Sequence, residues 1–202
     1  MPAPGQRIGL LGGSFNPAHR GHLEISRAAL GRLGLDRVWW LVSPQNPLKA
    51  TRDMAPLEQR LAGARALARD PRILALALES ALGTVYTADT VTALVARLPR
   101  ARFVWLMGAD NLIQVSDWKD WETIFRTVAV AVFDRPSYSL GALAATAARR
   151  FARQRLPESA ARTLAERAPP AWVFVHQRLN SQSSTGIRAA GRGRTRAKRD
   201  PG

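Results

Sequence analysis

The sequence predicts a single doubly wound α/β domain with a mostly parallel sheet. Short apolar runs of strand length alternate with longer helical patterns along the chain. Two of the runs end in glycine and pass straight into a helix, at Gly12-Gly13 and at Gly108. Open α/β sheets bind ligands at such carboxyl strand ends. No linker and no internal repeat divides the 202 residues, a length that supports one domain with a sizeable core.

The first strand carries Ile8, Leu10 and Leu11. Gly12 and Gly13 are expected to let the backbone take φ > 0 and approach a ligand closely. Asn16-Pro17 interrupts the run, and Leu23, Ile25, Ala28, Ala29 and Leu30 then mark an amphipathic helix. His19 and His22 are three apart, so at this helix start they share a side near unpaired backbone N–H groups. Two imidazoles at a positive helix end make a phosphate site. A pair of capping or surface histidines is the weaker reading for this spacing, with two of the chain's three histidines here. Zinc is disfavoured, since there is no cysteine and no third histidine nearby. Gly9, Gly12 and Gly13 fit neither the G-x-G-x-x-G fingerprint nor a Walker loop.

Val38 to Val42 reads as a buried strand running into the proline-stiffened loop Ser43 to Lys49. Lys49 either reaches an anionic substrate or is a solvated loop lysine. A helix over Pro56 to Ala68 turns Leu57, Leu61, Ala64 and Leu67 or Ala68 inward. Ile73 to Leu78 is a third strand, and Thr87 is expected to cap a helix running to Leu98 with Thr90 in its first turn. Arg102 to Met107 forms a fourth strand. Beyond it Asp110 either caps the next helix, binds a ribose or orders magnesium-bound waters. Among the six tryptophans, Trp121 reads as core filler and Trp118, on an irregular stretch, as the better ligand partner. A fifth strand spans Thr127 to Phe133, an Ala- and Arg-rich helical region spans 140–168 with a break at Leu156-Pro157, and a last strand runs from Trp172 to His176. Ser183, Ser184 and Thr185 then open a short helix. Its hydroxyls and N–H groups, with Arg188 one turn in, suit a second phosphate site. Residues 1–190 are expected to form the domain, and 191–202 a disordered basic tail.

The net charge is +15. Arginines spread along helices and in the tail carry much of it, without the interleaved aromatics of a base-stacking platform. Nucleic-acid binding is therefore a minor reading, and a basic surface also attracts nucleotides. The absence of cysteine fits a reducing cytoplasm. No signal peptide and no membrane-spanning run stands out.

The stretch from Gly12 to His22, closing in His19-Arg20-Gly21-His22, resembles the G-x-F-x-P-x-H-x-G-H signature of the nucleotidyltransferase superfamily. Four later segments follow in order: Tyr86-Thr87-Ala88-Asp89-Thr90, Gly108-Ala109-Asp110 with Trp118, Arg135-Pro136, and Ser183-Ser184-Thr185-Gly186-Ile187-Arg188. Together they resemble bacterial nicotinate-nucleotide adenylyltransferases over about residues 7 to 190. The chain departs from that pattern at Gln182, where an apolar residue is usual. It departs again at Asn46-Pro47-Leu48-Lys49, where relatives often carry P-P-H-K.

The resemblance implies a Rossmann-like fold and a reaction of ATP with nicotinate mononucleotide that gives deamido-NAD and pyrophosphate. It implies that His19, His22 and Arg188 act on the ATP phosphates. Gly12, Gly13, Ser14, Phe15, Gly108, Asp110, Ser183, Ser184 and Thr185 would complete the ATP site. Tyr86, Thr87, Asp89, Thr90, Trp118, Arg135 and Lys49 would hold the nicotinate nucleotide, with Trp118 stacked on the pyridine ring. Mg²⁺ would ride on the ATP phosphates, with no protein metal cage. A sibling enzyme acting on phosphopantetheine is the alternative, but such relatives commonly carry T-x-G-H and this chain has His19.

Overall fold

The computed structural model describes residues 2–44, 54–135 and 138–176. Strand β1 (Arg7–Gly13) leads into helix α1 (Arg20–Arg32), β2 (Arg37–Val42), α2 (Leu57–Leu67), β3 (Ile73–Leu76) and a short helix α3 (Leu78–Leu82). Next come α4 (Thr87–Arg97), β4 (Arg102–Gly108), α5 (Ala109–Gln114), α6 (Trp121–Thr127) and β5 (Ala129–Phe133). The chain continues through α7 (Ser139–Ala144), α8 (Thr146–Arg150), the two-residue strand β6 (Arg155–Leu156) and β7 (Trp172–Val175).

Among the described residues, seven strands form one sheet in the order β3-β2-β1-β4-β5-β7-β6. Every pairing in it is parallel. Side chains alternate across each strand, and both faces are apolar. Ile8, Leu10, Trp39, Leu41, Trp105 and Val130 enter one core layer with α4, α5 and α6. Leu11, Val38, Trp40, Leu106, Ala131 and Val173 enter the opposite layer with α1 and α2. This two-sided burial is why the strands read as continuous apolar runs. From β1 the chain winds outward to β2 and β3, then crosses back to place β4 on the other side of β1. The order therefore reverses between β1 and β4, and sheets of this kind have their ligand crevice at the carboxyl strand ends of such a reversal.

Several boundaries differ from expectation. Tyr86, not Thr87, is the cap residue of α4, and Thr87 is its first helical residue. The third strand stops at Leu76, where α3 begins two residues on. The region 140–168 is not continuous helix. It breaks into α7, α8, two 3-10 stretches (Ala152–Gln154 and Glu158–Glu166) and β6. Alanine at Ala147, Ala148, Ala161 and Ala165 serves close packing there and does not signal a long helix. No helix among the described residues is long and apolar enough to cross a membrane.

Candidate active site

The turn after β1 is built around Phe15. Its φ is +46°, while neither Gly12 nor Gly13 takes a positive φ. The sequence expectation therefore put the unusual backbone on the wrong residues. Gly12 is required for space instead, since a Cβ there would lie 2.5 Å from the Trp105 ring. A non-glycine residue in this region is strained by about 1–3 kcal/mol. Burial holds Phe15 in place: the ring is 1% exposed, stacked on Trp40 at 5.1 Å and against His22 at 4.4 Å.

His19 is the cap residue of α1 and His22 sits in its first turn. Their rings are 3.9 Å apart. The His19 backbone N–H donates to His22 Nδ1 at 3.1 Å. This bond makes Nδ1 an acceptor, so in the neutral ring the hydrogen resides on Nε2. Burial, then the neighbouring His19, pushes the His22 pKa down to about 3. His19 is also lowered, chiefly by burial and then by the charge of Arg135. Burial thus favours the neutral form of both imidazoles. Nδ1 of His19 is buried and without a hydrogen-bond partner among the described residues.

One turn further, Ser26 ties the helix to the sheet. Its hydroxyl donates to the His22 carbonyl at 2.8 Å and accepts from Trp40 Nε1 at 2.7 Å. Across the crevice, Gly108 caps α5, and a Cβ there would lie 2.5 Å from Asp110 Oδ1. Asp110 accepts from Arg135 Nη1 at 2.5 Å. Arg135 follows β5, and its charge bears on both imidazoles. The structure thus groups Arg135, expected with the nicotinate-nucleotide residues, with His19, His22 and Asp110.

On the other side, Lys119 Nζ lies 4.5 Å above the Tyr86 ring. Trp118, beside Lys119, is partly buried against the core. Thr87 is partly exposed and Asp89 exposed on the first turn of α4. Thr90 is fully buried; its hydroxyl bonds the Tyr86 carbonyl at 3.1 Å and pairs with Thr84 Oγ1 at 2.8 Å. It supports this segment from below. Lys49, Ser183, Ser184, Thr185 and Arg188 lie outside the described residues.

Comparisons with known proteins show the family. A family model described as cytidylyltransferase-like matches residues 10–190. A Methylorubrum extorquens protein named "Probable nicotinate-nucleotide adenylyltransferase" is 55% identical over 182 residues, covering 90% of this chain and 98% of the relative. A Bradyrhizobium protein of the same name is 57% identical over 182 residues, covering 90% and 95%. The chain belongs to the nicotinate-nucleotide adenylyltransferase family.

Solved structures agree on the fold. Plasmodium falciparum nicotinic acid mononucleotide adenylyltransferase complexed with NaAD superposes with a TM-score of 0.69 at 15% identity, covering 91% of this chain and 83% of that one. Four residues that brace these segments were not singled out by sequence reasoning. Ser26 and Trp40 brace His22, as described above. Arg60, on the inner face of α2, is 3% exposed and bonds main-chain carbonyls of both neighbouring turns. Glu79, in α3, is 6% exposed; burial raises its pKa, opposed by a hydrogen bond from Ser43. A signal for Arg60 and Ser26 was present: each is a polar residue at a helical spacing that otherwise carries apolar ones.

Proposed function

We propose that the crevice at the ends of β1 and β4 performs the family's reaction with the following division of labour. The chain transfers the adenylyl group of ATP to nicotinate mononucleotide, giving nicotinate adenine dinucleotide and pyrophosphate in NAD biosynthesis. The phosphate of the mononucleotide attacks the α-phosphorus of ATP, the bond to the bridging oxygen breaks, and pyrophosphate leaves. No protein nucleophile is needed, so catalysis consists of positioning and charge stabilisation.

The pair of touching imidazoles beside Arg135 is the observation that carries this reading. His22 offers an Nε2 hydrogen whose direction is fixed by the His19 N–H, by Phe15 and by Ser26. Such a donor contacts the α-phosphate and strengthens its bond as charge shifts towards the leaving group. Arg135, fixed by Asp110, adds a guanidinium on the same side. Gly12, Gly13, Ser14, Phe15 and Gly108 line the ATP side, with Asp110 reaching the ribose. Ser183, Ser184, Thr185 and Arg188 complete the phosphate contacts. Magnesium enters with ATP as part of the substrate, held by the triphosphate oxygens. The nicotinate nucleotide takes the side formed by Tyr86, Thr87, Asp89 and Trp118, with Lys49 as a further contact and Thr90 fixing the α4 turn beneath it.

The test is pyrophosphate release with ATP and Mg²⁺, comparing nicotinate mononucleotide, nicotinamide mononucleotide and phosphopantetheine as acceptors. Clear preference for the first is expected. Preference for phosphopantetheine would overturn the acceptor assignment and leave the ATP half standing.

A further inference from the structure

Arg60 lies three residues after Leu57 and four before Ala64, inside the stripe of α2 that faces the core. It is 3% exposed. A guanidinium withdrawn from water must find acceptors for its fork of donors. Arg60 finds them on the main chain. Nε donates to the Ala55 carbonyl at 2.8 Å and Nη2 to the Pro44 carbonyl at 2.8 Å. Nη1 donates to two carbonyls at once, Ser14 at 2.6 Å and Ser43 at 2.7 Å.

Those carbonyls belong to different halves of the site. Ser14 is in the turn after β1 that leads to His19 and His22. Ser43 and Pro44 leave the end of β2 and precede Lys49 in the sequence. A single nitrogen therefore joins the donor-side turn to the acceptor-side strand end. Two further bonds converge on Ser43: its N–H donates to the Gly13 carbonyl at 3.0 Å, and its side chain bonds the buried carboxyl of Glu79. Packing alone does not call for an arginine here, since the same stripe accepts Leu57, Leu61 and Ala64.

We propose that Arg60 is a positioning residue for adenylyl transfer, whose guanidinium fixes the turn at Ser14 against the strand end at Ser43 and Pro44. This rests on the reading that ATP and the mononucleotide occupy the two sides described above. The two substrates react only if the attacking oxygen and the α-phosphorus are held in line at about 3–3.5 Å. Each substrate is bound by its own segment, so that distance is set by how the segments are held to each other. A lysine would keep the charge but not the planar fork, and one ammonium does not span these four carbonyls.

The discriminating variant is Arg60→Lys. Its kcat for pyrophosphate release is expected to fall about 30- to 100-fold, the scale of a small misplacement of reacting groups. Calorimetric affinities for ATP alone and for nicotinate mononucleotide alone should stay within about threefold, because each segment keeps its own contacts. A kcat near wild type with only a lower Tm would make Arg60 merely structural and overturn the proposal. Loss confined to the affinity of one substrate would overturn it too. Wild-type turnover, measured alongside, separates failure of this proposal from failure of the site reading. Should Arg60→Lys not fold, the wild-type chain supplies the test. The nitrogen-15 signal of the Arg60 Nε–H must shift when either substrate is added alone, and a signal blind to either one overturns the proposal.

Discussion

The two sides of the crevice are built differently. On the side assigned above to the ATP phosphates, three groups are held in place: Phe15 by stacking on Trp40, Ser26 by two hydrogen bonds, His22 by the His19 N–H. On the side assigned to the acceptor, Thr87 and Asp89 stand at a helix start with no side-chain cap bond, and Trp118 lies on an irregular stretch between a 3-10 turn and α6. Rigid burial suits a donor that must already point at the place where charge develops. A more exposed side suits a nucleotide that must enter and a product that must leave. If so, damage to the phosphate side should appear in kcat, and damage to the acceptor side in KM.

His22→Ala should break the comparison most severely. Turnover is expected to fall about 10²- to 10³-fold, the effect of removing one transition-state donor. Affinity for nicotinate mononucleotide should barely change. Near-normal turnover would remove His22 from the chemistry. The next largest effect should come from Trp118→Ala, which takes away a stacking surface. KM for the mononucleotide should rise about tenfold, from a stacking contribution of about 1–3 kcal/mol, while KM for ATP stays put. An equal loss for both substrates would show that the two sides are not separable.

Burial of His22 also makes the folded chain pH-sensitive. The His22 pKa is about 3 in the folded chain and near 6.5 when unfolded. Between those values the unfolded chain binds the extra proton, so stability rises with pH through this window and is lost as pH falls from about 6.5 towards 3. Melting temperatures measured from pH 7 down to pH 4 should fall for the wild type. They should fall less steeply for His22→Asn, which has nothing to protonate. Parallel curves would show that other groups dominate the acid limb.

The difference between the two sides also governs how much could be read from sequence. The strand–turn–helix at Ile8 to Leu30 was legible because strand periodicity, Asn16-Pro17 and two histidines at helical spacing all agree. The parallel sheet was legible because its strands, buried on both faces, are unbroken apolar runs such as Val38 to Val42. What escaped was tertiary. Nothing local says that Phe15 rather than Gly13 takes the positive φ, because a ring wedged between Trp40 and His22 decides it. Glu79 was invisible, and Arg60 showed only as a polar break in an apolar helical stripe, because their partners come from turns distant in sequence. Arg155-Leu156 is too short for any periodicity, and becomes a strand only because β7 lies beside it.

Ser26→Ala should have the smallest effect and sharpens the comparison furthest. The hydroxyl touches no substrate in this reading; it joins Trp40 Nε1 to the His22 carbonyl at a fully buried position. Its removal leaves the indole N–H buried without an acceptor, which costs about 1–3 kcal/mol. For a chain of this length that corresponds to a Tm lower by several degrees, at about 2–4 °C per kcal/mol. If the phosphate side works through rigidity, kcat should also drop by a few-fold with KM unchanged, since the first turn of α1 loses its anchor to the sheet. A stability loss with kcat intact would mean that Phe15 and the His19 N–H are enough to aim His22. The rigidity of this side would then rest on the stacked rings alone.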